Sequence, residues 1–102
     1  MKRSKYTLRL LQAAEDDFQE IITYIALDSP SAAEAVADKI EKSLSTLSTY
    51  PFLGKIPPEE ELANMGYRFL VVQNYLIFYT IEGHTLWIHR ILHGARDYLG
   101  LL

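Results

Sequence analysis

From Tyr67 onward, three runs rich in aromatic and β-branched residues are separated by two residues and then by three. The runs cover residues 67–72, 75–81 and 85–92, with turns placed at Gln73-Asn74 and, after Glu82, at Gly83-His84. Connections this short make neighbouring strands antiparallel, so the C-terminal third predicts a three-stranded meander. The turns also imply a register: Val72 opposite Tyr75, Arg68 opposite Tyr79, Tyr79 opposite Ile88 and Ile77 opposite Arg90. One face then carries Arg68, Leu70, Val72, Ile77, Tyr79, Ile88, Arg90 and Leu92. The other carries Phe69, Val71, Leu76, Phe78, Trp87, His89, Ile91 and His93. Both faces are largely apolar, which predicts cover on both sides. A bulge anywhere in the ladder would exchange the faces beyond it.

The first half of the chain has the other period. Ala14, Phe18, Ile21, Ile22 and Ile25 recur at helical spacing, with Glu15, Asp16, Asp17 and Glu20 read as a solvated, acidic side near the helix start. This helix ends near Asp28. Ser29-Pro30 then caps and opens a second helix, whose stripe is Val36, Ile40, Leu44 and Leu47. A connection so short predicts an antiparallel helical hairpin. Residues 6–11 read as a first strand. Tyr50-Pro51 stops the second helix, and the following loop carries Gly54, Pro57, Pro58 and the acidic run Glu59-Glu60-Glu61, with a short helical turn at 59–64. The order β-α-α-β-β-β predicts one α+β domain over residues 1–102. In it the helical hairpin packs on one face of a small antiparallel sheet, and an external partner covers the other.

Composition narrows the function classes. The chain has 102 residues, 49% of them hydrophobic and 23% charged, which suffices for one core. It has no cysteine, so neither a disulfide framework nor thiolate chemistry is open to it, and a cytoplasmic location is expected. No apolar run approaches the roughly 20 residues of a membrane helix. The net charge of −3 argues against non-specific coating of nucleic acid. The charge is unevenly spread: Lys2, Arg3, Lys5 and Arg9 make a basic beginning, which presents either a basic face or ordinary solvated charge. No cofactor motif or metal site is legible. His89 and His93 stand four apart on a strand, roughly 13 Å along it, too far to share one ion.

The chemistry concentrates in Ile88-His89-Arg90-Ile91-Leu92-His93-Gly94-Ala95-Arg96-Asp97-Tyr98, where two arginines, two histidines and a tyrosine gather at a strand end. This stretch resembles the C-terminal signature of the RelE/ParE toxins of type II toxin–antitoxin systems. The resemblance runs along nearly the whole chain: residues 14–26 are similar to the family's first helix, Ser29-Pro30-Ser31-Ala32-Ala33 to the start of its second, Tyr50-Pro51-Phe52-Leu53-Gly54 to the end of that helix, and Tyr67-Arg68-Phe69-Leu70 and Tyr75-Leu76-Ile77-Phe78-Tyr79 to strands two and three.

The resemblance implies a bacterial toxin, often called a plasmid stabilisation protein, held by a cognate antitoxin in a hetero-oligomer, with a homodimer as another possible assembly. Family members either poison DNA gyrase, the ParE-like activity, or cleave mRNA on the ribosome, the RelE-like one. Some could retain antitoxin binding alone. A ribonuclease reading makes Arg68 and Arg90 a phosphate clamp and His93 or Tyr98 the proton-transfer group. A binding reading makes Arg90, His93, Arg96, Asp97 and Trp87 the contacts to target or antitoxin. Each has a plainer reading: Arg90 pairs with a helix carboxylate, Arg96 pairs with Asp97, His93 bonds the turn, and Trp87 packs. The acidic run at Glu59-Glu60-Glu61, where a RelE-like chain carries lysines, and the ending His93-Gly94-Ala95-Arg96-Asp97 favour the ParE-like activity.

Overall fold

The structure, a computed structural model, describes residues 5–94 and 96–102. Lys2 and Arg3 of the basic beginning, and Ala95 of the signature, lie outside the described residues. The elements are β1 (Thr7–Leu10), α1 (Gln12–Asp28), α2 (Pro30–Thr49), α3 (Glu60–Asn64), β2 (Arg68–Val72), β3 (Tyr75–Glu82) and β4 (Thr85–His93), then a 3₁₀ turn at Leu99–Leu101. No helix among the described residues is long and apolar enough to cross a membrane.

The local signals act as expected. The Ser29 hydroxyl accepts the Ala32 amide at 3.2 Å, and Pro30 opens α2 where no amide donor is needed. The helix ends against the 50–54 turn, which is pinned from below by Tyr79, a fully buried side chain of β3. The Tyr79 hydroxyl donates to the Pro51 carbonyl at 2.7 Å and accepts the Gly54 amide at 2.9 Å. A β-carbon at Gly54 would stand 2.5 Å from that hydroxyl, so the close approach requires glycine.

The strand order is β1-β4-β3-β2. β2, β3 and β4 form the expected meander, but β1 lies parallel to β4, with Thr7 opposite Thr85 and Leu10 opposite Ile88. The sheet is therefore mixed rather than wholly antiparallel. Two-residue turns dictate direction among β2, β3 and β4, whereas the partner of β1 is remote in sequence and no turn constrains it. Contacts with α2 fix its start: the Tyr6 amide donates to the Ser48 carbonyl at 2.8 Å, and the Ser48 hydroxyl donates to the Tyr6 carbonyl at 2.6 Å.

Both helices pack on one face, where Ala14, Ile40, Leu44 and Leu47 meet Val72, Ile77, Tyr79, Leu86, Ile88 and Ile91. On the second face, Leu62 and Tyr67 from one side, and Tyr98, Leu101 and Leu102 from the C-terminal segment, close over Phe78, Leu92, Phe69 and Leu76. The chain's own end thus covers part of this face, while Val71 on it stays 55% exposed.

Candidate functional site

Beyond Ile88 the ladder of β4 does not continue in the simple register. Tyr79 is opposite Ile88, but Phe78 is opposite Arg90, so His89 is an extra residue in a bulge. The implied pairing of Ile77 with Arg90 is thereby corrected; Ile77 faces Ile91. Past the bulge the faces exchange, placing Ile91 in the helix-side core and Leu92 in the opposite cluster.

A carboxylate on α1 engages the bulge. Asp17 accepts Arg90 Nε and Nη2, both at 2.7 Å, and the Ile91 amide at 2.9 Å. Asp17 is 5% exposed and the Arg90 side chain 20%. The bidentate bond holds the Arg90 pKa above the ordinary guanidinium value. Arg90 also donates to the Leu101 carbonyl at 3.3 Å, so one guanidinium joins α1, the bulge and the C-terminal segment. Asp17 is therefore buried and paired, unlike the solvated acidic side expected of Glu15, Asp16, Asp17 and Glu20. Its position three after Ala14 and four before Ile21, within the apolar stripe, was the available signal.

The bulged His89 lies between two hydroxyls. Hydrogen bonds join its Nδ1 to the Tyr67 hydroxyl at 3.1 Å and its Nε2 to Thr80 Oγ1 at 2.9 Å. Burial lowers its pKa, while the charge of Glu82 pulls the other way. The other histidines have separate surroundings: His84 stacks on Tyr6 at 4.2 Å, and His93 meets the edge of the Tyr75 ring at 5.7 Å.

The remaining named residues disperse. Arg68, on edge strand β2, donates to the Gly54 carbonyl at 2.9 Å and lies over the Phe52 ring, 5.2 Å from its centre. Tyr98 packs on Phe78 and donates its hydroxyl to Glu59 Oε2 at 2.7 Å. That bond raises its pKa to about 12, with desolvation and the carboxylate charge adding to the shift. Trp87 is half-buried beside Leu11, Glu82 and His89. Asp97 is exposed, and among the described residues it forms no ion pair with Arg96.

His93 and Arg96 do come together. They line a cleft of about 240 Å³ with Tyr75, facing Glu20 and Tyr24 of α1 across it. The Arg96 amide donates to the His93 carbonyl at 3.0 Å, which turns the chain at the strand end. Tyr24 and Tyr75, which the sequence did not single out as site residues, supply its aromatic walls.

Comparison with known proteins agrees with this architecture. Residues 8–98 match the family described as the ParE toxin of the type II toxin–antitoxin system parDE. Among solved structures, a chromosomal ParDE system from P. aeruginosa superposes with a TM-score of 0.71 at 22% identity, covering 88% of this chain and 97% of that one. The toxin–antitoxin complex RelBE2 from Mycobacterium tuberculosis gives 0.64 at 28% identity, covering 93% and 98%. A YoeB/ParE toxin from Agrobacterium tumefaciens gives 0.62 at 17%, covering 85% and 96%. No curated protein sequence matches. At under 25% identity the first and third of these structures speak to the fold alone; the family match over residues 8–98 decides membership, and the chain belongs to the ParE toxin family of type II toxin–antitoxin systems.

Proposed function

We propose that this toxin acts by binding DNA gyrase, and that a cognate antitoxin neutralises it. The observation that carries the reading is the dispersal of the residues a ribonuclease would need. Arg90 is bonded to Asp17, Arg68 to loop carbonyls, and Tyr98 to Glu59 with a pKa of about 12. Acid–base catalysis needs groups with pKa values near the working pH, converging on one reacting phosphate. Glu60 and Glu61 moreover lie exposed on α3, which opposes docking on ribosomal RNA. A contact surface needs only shape and charge, and His93, Arg96, Tyr75 and Tyr24 provide both in one cleft. The antitoxin partner is supported by the RelBE2 relative, described as a toxin–antitoxin complex.

The second reading, ribosome-dependent mRNA cleavage, has one observation in its favour: the 28% identity with RelBE2 over 93% of this chain. Two assays on the purified protein separate the readings. Inhibited supercoiling by purified gyrase, with a defined mRNA intact on ribosomes, supports the first. Codon-positioned cleavage with gyrase untouched replaces it with the second. Silence in both, with antitoxin binding retained, identifies a member that has lost its activity.

A further inference from the structure

The bulge in β4 leaves His89 without a cross-strand partner, and side chains hold its ring instead. Its two nitrogens meet the Tyr67 hydroxyl at 3.1 Å and Thr80 Oγ1 at 2.9 Å. A neutral imidazole has one donor and one acceptor nitrogen, so one hydroxyl gives it a hydrogen and the other takes one. An imidazolium has two donors and no acceptor. Whichever nitrogen carries the hydrogen in the neutral ring, protonation takes the acceptor away from one of the two hydroxyls. Burial raises the Tyr67 pKa, so that phenol does not relieve the conflict by ionising. The ring stands between two depressions of about 200 Å³ each. One is walled by Tyr67, Arg90, Leu101 and Leu102, and so in part by the C-terminal segment. The other is bordered by Leu11, Trp87 and the exposed Glu82. Among the described residues, Tyr67, Arg90 and Glu82 are thus the ionisable groups around the ring: a cation on the closed side and a carboxylate on the other.

We infer that His89 is a pH-operated latch on the C-terminal segment. Neutral, its ring bridges Tyr67 and Thr80 and keeps the segment closed on the sheet. Protonated, the ring leaves that bridge for the side of Glu82 and Trp87, and the segment opens. Two contacts carry the movement to the segment. Tyr67, which meets the His89 ring edge-on at 4.9 Å, belongs to the cluster that receives Tyr98, Leu101 and Leu102. Arg90, the next residue of the strand, donates to the Leu101 carbonyl. Opening bares Phe78 and Leu92, which are buried in the closed form. The sign follows from linkage. Burial lowers the His89 pKa in the closed form, and opening frees the ring to take up the proton. Opening therefore grows as pH falls from about 6.5 towards the closed-form value. The inference rests on the bulge itself and is independent of the gyrase reading.

The test follows the full chain as pH falls from about 7.5 to about 5.5, across the ordinary histidine range. The opening constant at the Leu101 amide, from hydrogen exchange corrected for its intrinsic pH dependence, is expected to rise roughly threefold. Fluorescence of Trp87, the one tryptophan of the chain, should fall, because an imidazolium quenches an indole that it approaches. NMR contacts between the His89 and Tyr67 rings should fade over the same range. His89→Gln has no ring to protonate, so its Leu101 opening should stay level. Glu82→Gln, at an exposed position, should reduce the response, because the freed ring loses the charge that draws it. A response that persists in His89→Gln, or that His93→Gln abolishes, overturns the proposal. So does a protonated ring that stays against Tyr67, or a Leu101 amide that exchanges only as slowly as Ile40 of α2, by global unfolding. Where His89→Gln fails to fold, Glu82→Gln decides, and an undiminished response in it overturns the proposal as well.

Discussion

On the helix side of the sheet, Ile40, Leu44 and Leu47 of α2 lie over Ile77, Tyr79 and Ile88, and two helices supply the whole cover. On the opposite side the cover includes Tyr98, Leu101 and Leu102, the end of a segment that leaves β4 at His93. The first cover consists of long elements, each anchored by its own backbone ladder and by many apolar contacts. The second is short and is tied down by polar bonds at separate points: Tyr98 to Glu59, and Arg90 to the Leu101 carbonyl. Local opening starts where apolar contacts are few and ends are free. The second face should therefore open well below the global unfolding free energy, and the helix face should not.

The largest expected effect comes from the group that serves both faces. Asp17→Ala leaves Arg90 and the Ile91 amide without their acceptor, so it should cost about 3–5 kcal/mol and loosen the C-terminal cover together with α1. Urea unfolding measures the first part and hydrogen exchange at Leu101 the second. A loss under 1 kcal/mol would mean that water replaces the carboxylate and that the two faces are not linked there.

Leu47→Ala removes a fully buried side chain from the helix face. The cost should be about 2–5 kcal/mol, spread over the whole cooperative transition, with no selective change in the exchange of the last residues. Selective fraying of the C-terminal segment in this variant would contradict the contrast between the faces.

Tyr98→Phe keeps the ring on Phe78 and removes the bond to Glu59, for about 1 kcal/mol. It should speed exchange at the C-terminal turn more than it lowers global stability. The same bond gives a pH signature. The folded pKa of Tyr98, about 12, lies above its ordinary value of 10.0, so its stabilisation is complete below pH 10 and is lost as pH rises from there through about 12. Opening of the second face on alkaline titration, absent in Tyr98→Phe, is the expected result.

The smallest effect belongs to His89, whose folded pKa lies below the ordinary 6.5. The unfolded chain then takes up the proton more readily, so stability should fall as pH drops from about 6.5 towards the folded value and level off beneath it. Two-dimensional NMR of the imidazole gives the folded pKa directly. A value above 6.5 would show that Glu82, not burial, dominates at the bulge.

What the residues determined by themselves was everything set by local rules. Helical periodicity gave α1 and α2, Ser29-Pro30 gave the break between them, and two-residue turns gave the pairings of Val72 with Tyr75 and Tyr79 with Ile88. The family resemblance was carried by the same short segments. The tertiary structure decided whatever depends on groups far apart in sequence. β1 runs parallel because its partner is the last strand, beyond the reach of any turn rule. The sheet alternation shifts at His89, where a carboxylate 73 positions away in sequence engages Arg90. That contact is the pairing with a helix carboxylate expected as the plainer reading of Arg90, while the turn after β4 brings Arg96 beside His93 and opposite Tyr24. Periodicity cannot place a side chain once a distant partner supplies its hydrogen bonds, because the partner's position is a property of the packed chain and not of the segment.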